Sequence, residues 1–177
     1  MAANTSHELV IDSIYTALIQ LMEKHDYEDI KITDIVQRAG VSRMTYYRNF
    51  DTKDDILTKK LHATLDMFEE KLRDFGNITE EEYWTEFFET FKTDPVILNI
   101  VKAGLIQPLV SAHKDFTIHM YEKIFHWDMN DDHNKMIAYQ RMGSMTGLML
   151  YAIEENPESD SHKLARLIIS ENEKISN

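Results

Sequence analysis

The chain has 177 residues, 43% of them hydrophobic, and a formal net charge of -12. That length and apolar content suffice to bury a core and exclude a disordered chain, and the absence of cysteine excludes a disulfide framework and any thiolate metal site. With 5 Gly, 3 Pro and helical rather than alternating apolar spacing in its long segments, the chain is expected to be all-α.

In chain order, MAANTSHELV at the N-terminus lacks the basic-then-apolar pattern of a signal peptide, so a cytoplasmic protein is expected. A first helix is predicted from about Ser6 to Lys24, with Val10, Ile14, Leu18, Leu21 and Met22 on one face. DYEDIKIT breaks the pattern, and Thr33 is the predicted cap of a second helix that carries Ile35, Val36 and Ala39 and stops at Gly40. Ser42 caps a third helix, Arg43 to Arg48; two short helices about a glycine turn are the grammar of a helix-turn-helix. Thr52, with Asp55 three residues on, opens a long fourth helix through Leu57, Leu61, Leu65, Phe68 and Leu72 to about Phe75. Thr79 with Glu82 opens a fifth helix, Asp94 with Pro95 a short sixth, and Gly104 and Pro108 separate it from a seventh reaching about Phe125. Asn130 to Asp132 opens an eighth to about Glu155, and Pro157 and Ser159 precede a ninth through Leu164, Leu167 and Ile168. The longest uncharged apolar run, Met142 to Ile153, falls well short of the roughly 20 residues that span a bilayer, so no membrane segment is expected.

Charge divides the chain. Residues 1–60 hold 8 Lys+Arg against 10 Asp+Glu, and residues 61–177 hold the remaining 11 against 21. Within the first part, Ile35 to Phe50 carries Arg38, Arg43 and Arg48 and no acid, which marks a place where an anion can dock on an otherwise acidic chain. A helix entering the major groove must keep carboxylates from phosphates, and its N-terminal residues meet the base edges. Ser42, Arg43, Met44 and Thr45 are therefore the candidates for reading sequence, with Arg43 suited to a bidentate contact with guanine; Arg48 can serve base or phosphate. Val41, Tyr46 and Phe50 are expected to pack the small core, and Arg38 to lie on a solvated face.

KITDIVQRAGVSRMTYYRNFDTKDDIL, Lys31 to Leu57, resembles the DNA-binding signature of the TetR/AcrR family of bacterial transcriptional regulators. The resemblance rests on Thr33, Val36 in place of the usual Ile, Ala39, Gly40, Val41, Ser42, Tyr47, Phe50 and Lys53, with Ile56 at an apolar position. Where the family often has Gly after the start of the third helix this chain has Met44, a side chain suited to a thymine methyl. The resemblance implies about nine helices, with a three-helix DNA-binding domain at 1–52 joined by the long helix to a helical effector-binding and dimerisation domain at 53–177. It implies that Thr33, Tyr47, Asn49 and Lys53 hold phosphates; a core or cap position is the lesser reading of Tyr47. Outside roughly Ser6 to Leu61 the likeness is architectural only.

For the second domain, Trp84, Phe87, Phe88, Phe91, Met120, Tyr121 and Phe125 are candidates to line an apolar effector cavity, while residues at such helical spacing commonly serve as plain core. His113, His119, His126, Asp128 and His133 lack the short, same-face pairing of a metal site, and neither a metal nor a cofactor is expected. In GSMTGLMLYAI, Gly143 and Gly147 cost helix propensity, which close approach of another helix compensates. The family's dimer of paired last helices would put Met142, Gly143, Met145, Thr146, Gly147, Leu150, Leu164, Leu167 and Ile168 near a twofold axis; packing within the chain is the other reading. No nucleophile elbow, phosphate loop or metal pair suggests an enzyme. The expected function is a homodimeric repressor, released from a palindromic double-stranded operator by an unknown small-molecule effector. The alternative is a DNA-binding adaptor of the same fold governed by a partner protein.

Overall fold

The computed structural model of the protein describes residues 2–73 and 77–170, and among these every regular element is helical. In order they are α1 (Ala2–Met22), α2 (Ile32–Ala39), α3 (Arg43–Tyr47), α4 (Asp54–Arg73), α5 (Glu80–Phe91), α6 (Pro95–Lys102), α7 (Ile106–Lys123), α8 (Asp132–Glu154) and α9 (Ser161–Ser170). A single 3-10 turn, Tyr27–Asp29, joins α1 to α2. The predicted end of α4 at Phe75 lies outside the described residues.

Local chemistry sets most boundaries. Thr79 and Glu82 form the predicted capping box of α5: the Thr79 hydroxyl accepts the Glu82 N–H at 3.3 Å, and the Glu82 carboxylate takes the Thr79 N–H at 2.9 Å. Those Thr79 contacts hold the exposed Glu82 carboxyl below its usual range. Asp94 caps α6 through the N–H groups of Val96 and Ile97 at 2.8 and 3.1 Å, with Pro95 at the first helical position. Gly104, at φ 70, closes α6 in the left-handed conformation. Pro108, expected to precede α7, falls inside its first turn, where the missing N–H has no intrahelical partner to lose. Asp131 caps α8 by accepting the Asn134 N–H at 3.0 Å.

The N-terminal helices pack as α1 on α2, with Ile14, Leu18, Ile35, Tyr46, Phe50, Ile56 and Leu57 buried between them and the start of α4. The remainder is a bundle in which α5 lies along α9, α7 along α8, and α4 against α6 and α7. α4 runs along the single buried cluster, with Ile56 and Leu57 near its start and Phe68 and Leu72 near its end, and packs on α1 as well as on α6 and α7.

Candidate nucleic-acid interface

The helix-turn-helix is built from a few backbone contacts. α2 begins at Ile32, one residue before the predicted cap, because the Asp34 carboxylate takes the Lys31 N–H at 3.2 Å and closes the helix there. Thr33 is thus an exposed first-turn residue with its hydroxyl 3.5 Å from the Asp34 carboxylate, and it does not cap the helix. Gly40 at φ 68 turns the chain, a conformation that L side chains rarely adopt. Ser42 then caps α3 as predicted: its Oγ accepts the Thr45 N–H at 3.0 Å and lies 2.8 Å from the Thr45 hydroxyl. Asn49 ties the far end by donating to the Thr45 carbonyl at 2.8 Å.

One face of α3 is anchored by Tyr46, fully buried, with its hydroxyl donating to the Thr52 carbonyl at 2.8 Å and its ring 5.7 Å from that of Phe50. Burial first, and the Asp55 carboxylate second, push its phenol above the ordinary tyrosine range, so it stays neutral. With Tyr46 inward, Arg43, Met44, Tyr47 and Arg48 must point out, and Met44 and Tyr47 are 67% and 54% exposed. Arg48 lies with its guanidinium 3.5 Å from the Met44 sulfur. Tyr47 stacks edge-on against Tyr46 at 5.3 Å while its outer surface is free, so it is not a core residue. Thr45 and Asn49 are half-buried and hold the helix.

Lys53 corrects the reading by resemblance. Its ammonium donates to the carbonyls of Tyr27, Glu28 and Ile30 at 2.5, 3.2 and 3.2 Å and sits 4.3 Å over the Tyr27 ring. All three of its N–H donors are engaged, so it clamps the 3-10 turn to the start of α4 instead of projecting toward a phosphate. The Tyr27 hydroxyl reinforces the clamp by donating to Asp54 at 2.6 Å, and burial ahead of that bond raises its phenol. A cation missed by sequence reasoning is Lys59, exposed over the Phe50 ring at 5.4 Å, which lines one groove with Tyr47, Arg48 and Asn49. It lies on α4 beyond the motif, and its only sequence signal is its position opposite the buried Leu57 and Leu61.

The residues expected to line an effector cavity are instead packed. Trp84, Phe87, Phe88, Phe91, Met120 and Tyr121 are buried, and Phe125 is half-buried. On α5 the Phe87 ring lies 4.5 Å from that of Phe91 in a tilted pair and 5.7 Å from that of Trp84 edge to face, and Phe68 of α4 tilts against Phe91 at 4.9 Å. At one end of this core Arg141 pairs with Glu80 and donates to the Tyr121 hydroxyl at 2.9 Å, with Trp127 5.3 Å from its guanidinium. Among the described residues no group of three or more His, Cys, Asp and Glu is arranged to hold a metal ion; His113 is buried, and His119 meets Glu69 at 3.2 Å.

The expected dimer face divides in two. Met145, Thr146, Leu164 and Ile168 are buried within the chain and correct that expectation, since consecutive residues of a helix step around both its faces. Gly143 and Gly147 face outward with no atom within 4 Å of where a Cβ would stand, Leu167 is exposed, and Met142 and Leu150 are partly exposed. Packing within the described chain therefore does not account for the two glycines. Met136, Tyr139 and Tyr151, which sequence reasoning passed over, add exposed apolar surface on α8 at 64%, 46% and 45%.

The described chain is all-helical, and its exposed, acid-free third helix is held by a glycine turn in helix-turn-helix geometry. Residues 14–59 match the family model of bacterial regulatory proteins of the tetR family. A curated relative, the HTH-type transcriptional regulator AlkX of Mycobacterium tuberculosis, is 27% identical over 119 residues, 60% of this chain and 53% of that protein, so the chain spans about half the length of the relative it matches. Among solved structures, Lin0861 from Listeria innocua superposes with a TM-score of 0.78 at 17% identity, over 96% of this chain and 92% of that one. A TetR transcriptional regulator from Streptococcus agalactiae superposes at 0.62 and 17% identity, over 97% of each chain. The match to the tetR-family model thus covers the N-terminal helix-turn-helix region alone, and the solved structures at 17% identity show a shared fold. Among the described residues no helix is long and apolar enough to cross a membrane.

Proposed function

We propose that the protein is a homodimeric, sequence-specific transcriptional repressor. Residues 1–52 hold one half-site of a palindromic operator, and residues 53–177 dimerise and receive a small-molecule effector. The observation that carries this reading is the outward face of α3, where Arg43, Met44, Tyr47 and Arg48 stand free while Tyr46 locks the opposite face. Arg43 reads guanine and Met44 meets a thymine methyl, with Ser42 and Thr45 beside them at the base edges; Thr33, Tyr47 and Asn49 set register on the backbone, and Arg48 serves base or phosphate. Since α4 packs on α1 as well as on α6 and α7, an effector that shifts it changes the separation of two recognition helices from the roughly 34 to 36 Å of successive major grooves. Selection from a random duplex library with the full chain tests the reading: a palindrome is expected, and recovery of no consensus, or affinity indifferent to salt, overturns it.

A second reading, in which a partner protein replaces the small molecule, is favoured by the closed packing of Trp84, Phe87, Phe88 and Phe91. Native mass spectrometry of the purified chain separates the two, since only an effector-binding core carries small molecules through purification.

A further inference from the structure

The protein has no cysteine, so methionine carries all of its sulfur, and among the described residues three methionines are more than half exposed: Met44, Met67 and Met136. Met22, Met120, Met129, Met145 and Met149 are buried. Met67 lies on α4, and Met136 lies on the outward face of α8 that Gly143 and Gly147 share. Met44 stands on α3, between Arg43 and Thr45 at the surface proposed to read DNA. An oxidant in solution therefore meets a sulfur atom at that surface, and no thiol of this chain competes for it.

The neighbour of this sulfur makes its oxidation consequential. Arg48, one turn on at the end of α3, donates a guanidinium N–H to the Met44 sulfur at 3.5 Å. A thioether is a weak acceptor, so the contact leaves both side chains free to move onto DNA. A sulfoxide oxygen carries the negative end of the S–O dipole, and beside a guanidinium it accepts a charge-assisted hydrogen bond, roughly twice as strong as a neutral one. The contacts that hold α3, made by Ser42, Tyr46 and Asn49, do not involve the Met44 side chain. Oxidation there changes the surface and leaves the helix in place.

We propose that Met44 is a modification site at which hydrogen peroxide switches off sequence reading. The sulfur lone pair attacks one peroxide oxygen, the O–O bond breaks, and the departing hydroxide takes the proton from the oxygen now on sulfur, giving sulfoxide and water. Sulfur is oxidised by two electrons and the peroxide is reduced. The apolar end that meets a thymine methyl becomes polar, and the new oxygen holds Arg48 against α3, so one added atom withdraws two side chains from DNA. Charge is unchanged, so attraction to phosphate persists and the loss falls on specific binding. Methionine sulfoxide reductases reverse the change. The inference rests on the reading that α3 faces the bases.

The test titrates the full chain with hydrogen peroxide, locates added oxygen by peptide mass spectrometry, and measures affinity for the selected operator and for a duplex of random sequence. Operator affinity should fall by about tenfold or more in step with Met44 sulfoxide, random-duplex affinity should stay within about twofold, and reductase treatment should restore the operator complex. Met67→Leu should remain as sensitive as the parent, whereas Met44→Leu, compared with its own untreated form, should lose nothing. Operator bound beforehand should slow oxidation of Met44 and not of Met67. The switch is overturned if Met44 stays reduced while Met67 is oxidised, if the loss tracks the sulfoxide of Met67 or Met136, if both duplexes lose equally, or if fully oxidised Met44 leaves operator affinity intact. Each of those results leaves DNA recognition by the untreated chain standing. An untreated chain that selects no operator instead overturns the reading of α3, and the switch with it.

Discussion

Replacing Gly147 by Leu separates the fold of one subunit from its assembly. In the isolated chain a Cβ at this position meets nothing within 4 Å, and the residue is exposed in the middle of α8. The substitution should therefore cost the subunit nothing in packing and gain helix propensity, up to about 1 kcal/mol relative to glycine. For a chain of this size that gain corresponds to a rise of roughly 2 to 4 °C in Tm, if the melt is read at a concentration where parent and variant are both monomeric. In the proposed dimer the same side chain occupies the space between two α8 helices, whose axes pack at about 8 to 10 Å, and it should raise the dimer dissociation constant at least tenfold, or about 1.4 kcal/mol. Sedimentation equilibrium of parent and Gly147→Leu gives the association constant, and melting of dilute samples gives the subunit stability. A variant that dimerises as tightly as the parent would falsify the assignment of this face. One that loses subunit stability would show that an intrachain neighbour occupies the space after all.

Three further outcomes follow from the geometry. Arg43→Ala, an exposed change, should leave stability intact while costing about 1 to 3 kcal/mol of operator affinity and relaxing preference at one base position, and an unchanged selection profile would remove Arg43 from its base-reading role. Lys53→Met keeps the apolar stem but strands the carbonyls of Tyr27, Glu28 and Ile30, so urea unfolding should show a loss of about 1 to 3 kcal/mol; weaker DNA binding at full stability would return this lysine to the phosphate role. His113 should make stability fall with acid: the unfolded imidazole protonates near 6.5 and the folded one only near about 4, so between these the unfolded chain binds the extra proton. Stability present above pH 6.5 is thus lost as pH drops toward 4, by at most on the order of 3 kcal/mol. His113→Gln should flatten that part of the urea-unfolding profile, and an identical slope in parent and variant would refute the account of this group.

Sequence alone determined what depends on near neighbours along the chain. The stops at Gly40 and Gly104, the caps at Ser42, Thr79 and Asp94, and the inward Tyr46 and Phe50 are local consequences of φ preferences, side-chain acceptors and helical spacing. The acid-free run from Ile35 to Phe50 was legible for the same reason, since it can be counted residue by residue. What depended on distant parts of the chain was not legible. Lys53 reads as a free cation until the carbonyls of the Tyr27 turn, more than twenty residues earlier, are brought against it. Phe87 and Phe91 read as core or as cavity wall until Phe68 is seen to pack beside them. Which of Met145, Thr146 and Gly147 faces the chain and which faces out was decided only when α8 was laid on α7 and α9, because periodicity specifies that a helix has two faces and tertiary packing specifies which of them is covered.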